Sequence, residues 1–162
     1  MMRAGILALA IVVSACGGEP AAGTGGNVAD GKIEDGTTAA LEVTISTSTT
    51  EPIRVGETLN ITVTTTNTGS EPRTVEATSG CFTDYEILDA SGNVVGRSGQ
   101  MCSAVMSSRA LDAGEALSES FAWIVGGRGT TPVQPGQYQL RGVLLQPGDT
   151  LRSQPVPIVV EG

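Results

Sequence analysis

The chain has 162 residues, 40% of them apolar but only 3% aromatic, and carries nine basic residues against seventeen acidic ones, a formal net charge of −8. That length gives one modest domain and a tail, and a composition rich in Thr, Ser, Val and Gly favours strands over helices. The acidic balance argues against binding nucleic acid or anionic lipid through charge, and the lack of any histidine excludes Ser-His-Asp and Cys-His nucleophiles and histidine-containing zinc sites.

Met1 to Arg3 form a short positive start, and Ala4 to Val13 follow without a charge. The run is too short to cross a hydrocarbon core of about 30 Å and fits the apolar region of a secretory signal. Val13-Ser14-Ala15-Cys16 then resembles a bacterial lipobox: a branched apolar residue, two small ones, and the cysteine whose thiol receives a diacylglyceryl group. The resemblance implies a signal peptide over residues 1–15, cleavage before Cys16, and a palmitate-bearing Cys16 as membrane anchor, each buried CH₂ contributing about 0.8 kcal/mol. The alternative is an ordinary secretory signal with an incidental cysteine. Loss of Arg3 leaves eight basic residues against seventeen acids, hence −9. Gly17 rather than Asp follows the cysteine; by resemblance to sorting rules of diderm bacteria, this favours the outer membrane of the cell envelope, facing the periplasm or the surface.

Residues 16–40 read as the lipidated end and a flexible tether, rich in Gly, Ala, Thr and acids and without periodicity. Asp30, Glu34 and Asp35 fall there, but their spacing lacks the alternating ligands of an EF-hand loop, so no metal is assigned.

From Leu41 to Gly162 the pattern is that of a β domain. Leu41, Val43 and Ile45 alternate with polar residues, as do Leu59, Ile61 and Val63, the period of half-buried strands. Further strands are expected at Arg73 to Thr78, Thr83 to Leu88, Val94 to Arg97, Leu117 to Val125, Gln137 to Leu145 and Leu151 to Val160. Turn clusters such as Asn67-Thr68-Gly69-Ser70, Ser91-Gly92 and Pro135-Gly136 separate them. Short strands with frequent turns predict an all-β sandwich of two antiparallel sheets. Phe121 and Trp123 share one strand face as the largest apolar block, with Tyr138 and Leu140 facing them. Gly56-Glu57 and Gly114-Glu115 both precede strands, without matching flanks.

A two-residue turn at Ser91-Gly92 pairs Leu88 with Val95, Glu86 with Arg97 and, counted outward, Cys81 with Cys102. A type I turn with a bulge at Gly92 would slip this register by one; bulges at Gly96 or Gly99 would restore it. Export favours a disulfide between Cys81 and Cys102, whereas a redox pair would call for C-x-x-C spacing.

The blocks "VGETLNITVTTTNTGSEPRTVEATSG", "DYEILDASGNVVGRS", "LDAGEALSESFAWIV" and "VQPGQYQLRGVL", in this order, resemble the BsuPI-type intracellular proteinase inhibitor domain over Leu41 to Val160. The resemblance implies an immunoglobulin-like β-sandwich and, for the family's namesake, inhibition of a serine protease in the cytoplasm, whereas this chain carries an export signal. No nucleophile has a recognisable base, and no cofactor or metal motif is present, so no catalytic residue is assigned. The expected function is a lipid-anchored, non-catalytic protein-binding module of the envelope. The alternative is serine protease inhibition through the segment "GGRGTTPVQPG", with Arg128, Thr130, Pro132 and Pro135 as candidate contacts; the bland reading of that segment is a connection between the two sheets.

Overall fold

Apolar residues at every second position turn one side of each strand toward a common core. The computed structural model describes residues 41–127, 133–148 and 150–162. Its strands are β1 (Leu41–Thr47), β2 (Ile53–Arg54), β3 (Thr58–Asn67), β4 (Arg73–Ala77), β5 (Thr83–Leu88), β6 (Val94–Arg97), β7 (Ser107–Leu111), β8 (Ala116–Ile124), β9 (Gly136–Leu145), β10 (Thr150–Arg152) and β11 (Val156–Glu161). One sheet has the order β1-β3-β8; the other runs β2-β11-β9-β5-β6, with β10 also on β9; β4 and β7 form a two-stranded ribbon. The result is an all-β, immunoglobulin-like sandwich. Its pairs are antiparallel except for β2 with β11, which run parallel at a sheet edge.

Ile61 and Val63 of β3 and Phe121 and Trp123 of β8 join Tyr85 and Ile87 of β5 and Leu140 and Leu144 of β9 in one core. Phe121 meets Tyr85 edge to face, with ring centroids 5.4 Å apart, so its aromatic partner is Tyr85 rather than Tyr138. Tyr138 packs at the core margin. Its hydroxyl donates to the Gln134 carbonyl at 3.0 Å and accepts from the Gln134 N–H at 3.2 Å, the tyrosine corner of immunoglobulin-like sandwiches. Gly142 lets the sheets approach: a Cβ there would lie 3.0 Å from Val63 Cγ1 and 3.3 Å from the Thr44 carbonyl.

The buried amide of Asn67 closes the corner after β3. Its Nδ2 donates to the carbonyls of Glu71 at 2.8 Å and Leu111 at 3.0 Å, and its Oδ1 accepts from the Gly69 N–H at 3.0 Å. This side chain replaces the ladder where β3 gives way to β4. The two Gly-Glu turns share one geometry. Glu57 and Glu115 each return a carboxylate oxygen to the N–H of the turn's first residue, Arg54 or Asp112, at 2.9 Å. Gly56 and Gly114 take φ values of +93° and +78°, which a turn of type II requires at its third position.

Three elements depart from the sequence expectation. β2 has only two residues, and β7, Ser-Ser-Arg-Ala-Leu, buries only Leu111, so neither shows an apolar period. The segment Leu151 to Val160 is broken at Ser153-Gln154-Pro155. These three residues lie opposite two of β9, because Arg152 pairs with Val143 and Val156 with Leu140, a bulge. Buried Ser153 holds it: its N–H donates to the Gly142 carbonyl and its Oγ accepts from the Gly142 N–H, both at 2.9 Å.

Candidate functional site: a disulfide-held loop

The β5–β6 hairpin sets the site. Its turn is closed by the Gly92 N–H on the Asp89 carbonyl and the Asp89 N–H on the Asn93 carbonyl, both 2.9 Å, with Gly92 at φ +82°. Hydrogen bonds from the Asn93 side chain and backbone hold the Asp89 carboxyl below its ordinary range. The turn slips the register by one residue, so Leu88 pairs with Val94 and not Val95. A bulge then leaves Val95 as the extra residue, and Ile87 and Glu86 meet Gly96 and Arg97. The slip and the bulge cancel. Cys81 and Cys102 come to a Cα separation of 5.5 Å and form a disulfide; the compensating residue is Val95, not Gly96 or Gly99.

The disulfide pins residues 98–106, which link β6 to β7 without regular structure. Other bonds assist it. The Ser98 N–H donates to Asp84 Oδ1 at 3.3 Å, Gln100 Nε2 to the Thr83 carbonyl at 2.9 Å, and the Gly80 N–H to the Ser103 carbonyl at 2.9 Å. Thr83 is itself fixed by Glu119 of β8, whose Oε2 accepts from the Thr83 N–H at 3.0 Å and from its hydroxyl at 2.6 Å. Residues 100, 102 and 103 are thus tied down while Met101 between them is 98% exposed; Val105 and Met106 are 66% and 71% exposed. Three large apolar side chains of this loop thus stand in water, against the hydrophobic effect.

Of the candidate contacts singled out in the sequence, only Pro135 is described. Arg128, Thr130 and Pro132 fall outside the described residues, as does Cys16. Pro135 is exposed, and the Gln134 beside it is fixed by Tyr138. That segment leads into Gly136 at the start of β9, whereas Thr83 pairs with Leu144 near its end. At about 3.4 Å per residue, Gly136 and Leu144 stand roughly 27 Å apart along β9, so Pro135 and Thr83 lie toward opposite ends of that strand.

Next to the loop, three guanidinium groups converge on Glu86, whose side chain is 2% exposed. Arg141 donates through Nη2 at 2.6 Å and Nε at 3.0 Å to Oε2, Arg97 Nη2 donates at 3.1 Å to Oε1, and Arg152 Nε lies 3.5 Å from Oε2. Burial pushes the Glu86 carboxyl up, but the hydrogen bonds and charge of Arg141, with the charges of Arg152 and Arg97, outweigh it and hold the group below its ordinary value of 4.5. A carboxylate held low contributes stability above its unfolded pKa and loses it as pH falls through the folded value. Glu86→Gln is therefore expected to cost about 2 kcal/mol at pH 7. The deficit shrinks below pH of about 4. Urea unfolding of both proteins at the two pH values checks this, and an equal difference at both would contradict it.

Residues 35–148 match the model of the BsuPI family, described as intracellular proteinase inhibitor. No curated protein matches the chain. Among solved structures, the chain is similar to Spo0M, a sporulation control protein from Bacillus subtilis, at 16% identity and a TM-score of 0.50, over 76% of this chain and 50% of that one. It is also similar to the alkylpurine DNA glycosylase AlkC of Pseudomonas fluorescens (15% identity, TM-score 0.49, 78% of this chain and 32% of that). A third likeness is to a CARDB domain from Pyrococcus furiosus (16% identity, TM-score 0.40, 75% and 87%). The chain thus spans half of Spo0M and about a third of the glycosylase, and at 16% identity the likeness to Spo0M is one of fold alone.

Proposed function

We propose that this chain, which belongs to the BsuPI family of intracellular proteinase inhibitors, is a non-catalytic module that binds and blocks a serine protease through loop 98–106. The observation that carries this reading is Met101, 98% exposed between residues tied by the disulfide and two hydrogen bonds. Fixing a loop before it meets its partner removes part of the ordering cost of binding. An unbranched thioether fills an apolar pocket without demanding one shape. A protease with a deep apolar primary pocket is the fitting partner, and the acidic balance of the chain argues against a nucleic-acid one.

The reading keeps the lipid anchor. The lipobox-like Val13 to Cys16 supports a protein held at the outer membrane through acylated Cys16, with its inhibitor domain outside the cytosol. Palmitate labelling that is lost on Cys16→Ser tests the address separately from the activity.

Inhibition is tested by titrating the purified protein against subtilisin-type, chymotrypsin-type and trypsin-type proteases. Stoichiometric loss of activity of an apolar-specific protease supports the reading. No loss with any of the three ends it. Inhibition of the trypsin-type enzyme alone, abolished by Arg128→Ala, moves the contact to the segment around Arg128.

A further inference from the structure

We propose that the outer face of the β5-β6-β9-β10 sheet carries a binding site for a carboxylate on a short alkyl stem, as in an acidic side chain of a peptide, held between Arg97 and Arg152. The site does not depend on the protease reading, although Arg97 directly precedes loop 98–106.

Charge is the first argument. The chain is acidic overall, yet three of the six arginines among the described residues, Arg97, Arg141 and Arg152, meet at one point. Glu86 and Asp84 offset two of these three charges, which leaves a local surplus of one. Arg141 is committed, its fork occupied by Glu86. The other two are not. Arg97 gives one N–H to Glu86, and Arg152 gives one to the Thr150 carbonyl at 3.2 Å and stands 3.5 Å from Glu86. Of the five N–H groups on each guanidinium, the rest donate to no partner among the described residues. Their side chains are 63% and 43% exposed, so both are within reach of a ligand.

Shape and chemistry narrow the ligand. Arg97, Arg152, Thr150, Val143 and Leu145 line a depression of about 100 Å³ together with the carboxylates of Asp84 and Glu86. A carboxylate accepts planar, paired hydrogen bonds from a guanidinium group, and both Arg97 and Arg152 line the depression. Val143 and Leu145 offer an apolar wall to one or two methylenes. A single surplus charge matches a monoanion. A phosphate group, at about −1.5 to −2 near neutral pH, exceeds that surplus and is repelled more strongly than a monoanion by the lining carboxylates of Asp84 and Glu86.

The test is a titration of the ¹⁵N-labelled full chain, read at the Nε–Hε resonances of Arg97 and Arg152. The probes are acetate, N-acetylglutamate amide and inorganic phosphate, with sodium chloride at matched ionic strength. Saturable shifts with both carboxylates, tighter than with phosphate and absent with chloride, are expected. Arg97→Gln alters an exposed side chain, leaves the Glu86–Arg141 pair in place, and is expected to weaken carboxylate binding about tenfold, as for loss of one charge-assisted hydrogen bond. Glu86→Gln, in whatever fraction remains folded, raises the surplus charge and is expected to tighten binding. Shifts that follow ionic strength alike for chloride and acetate, phosphate binding more tightly than carboxylate, or unchanged binding in Arg97→Gln would each overturn the proposal.

Discussion

Met101→Asp is expected to weaken binding to an apolar-specific serine protease by about a thousandfold, with no change in the stability of the free protein. Met101 is 98% exposed, so it contributes nothing to the core, and the variant should unfold at the wild-type temperature. In the complex the same side chain would enter a desolvated pocket. A residue at the centre of such an interface carries about 2–4 kcal/mol or more. A carboxylate placed there adds the cost of burying an unpaired charge, and about 4 kcal/mol corresponds to a thousandfold. Met101→Leu conserves volume and apolar character and should stay within about tenfold of wild type. Inhibition constants for the two variants check this. Equal constants for Met101→Asp and wild type would mean that the loop does not touch the protease.

The second large effect belongs to the disulfide. Replacing Cys81 and Cys102 together by serine opens a link across 21 residues. In the loop-entropy account this destabilises the domain by about 3 kcal/mol, which for a domain of this size lowers the melting temperature by roughly 10 °C. The damage is not confined to stability. The disulfide adjoins Met101, and what remains to hold the loop is one backbone bond, Gly80 to Ser103, and two bonds to side chains, Gln100 to Thr83 and Ser98 to Asp84. A loop that must be ordered on binding binds less tightly, so the double variant should inhibit more weakly at temperatures where it is still folded. Circular dichroism melts and inhibition assays at 15 °C separate the two effects. A variant with the wild-type melting temperature and inhibition constant would show that neither the domain nor the loop relies on the bond.

How much of this could be read from the sequence depended on how local each cause is. Period-two alternation from Leu41, and around Leu59 to Val63, is a property of neighbouring residues, and those strands lie where the alternation puts them. β7 escaped because its partner β4, rather than its own pattern, makes it a strand. Counting outward along the hairpin names the right partners, Cys81 and Cys102, although the register expected at the turn is off by one until the bulge restores it. The bulge residue Val95 was not legible, because the glycines at 96 and 99, and not a β-branched valine, are the usual marks of a bulge. The loop segment "SGQMCSAVMSS" did carry one signal, two methionines and a valine without period around a bridged cysteine. Its meaning lies in anchors from Gly80, Cys81 and Thr83, which only the fold brings near. The Arg128 segment drew attention by its length and its prolines, which are local features. The cluster at Glu86 was invisible for the opposite reason: Arg141 and Arg152 lie far along the chain, and only the pairing of β5 with β9, and of β9 with β10, sets them over one carboxylate.

The most direct measurement of the central claim is amide hydrogen exchange of the protein, free and mixed with an inactivated subtilisin-type protease. Binding through the disulfide-held loop predicts new protection confined to residues 98–106 and the adjoining Gly80 to Thr83, with the opposite end of the sandwich unchanged. Protection that appears only around residues 126–136, or none at a protease concentration that saturates inhibition, would contradict it.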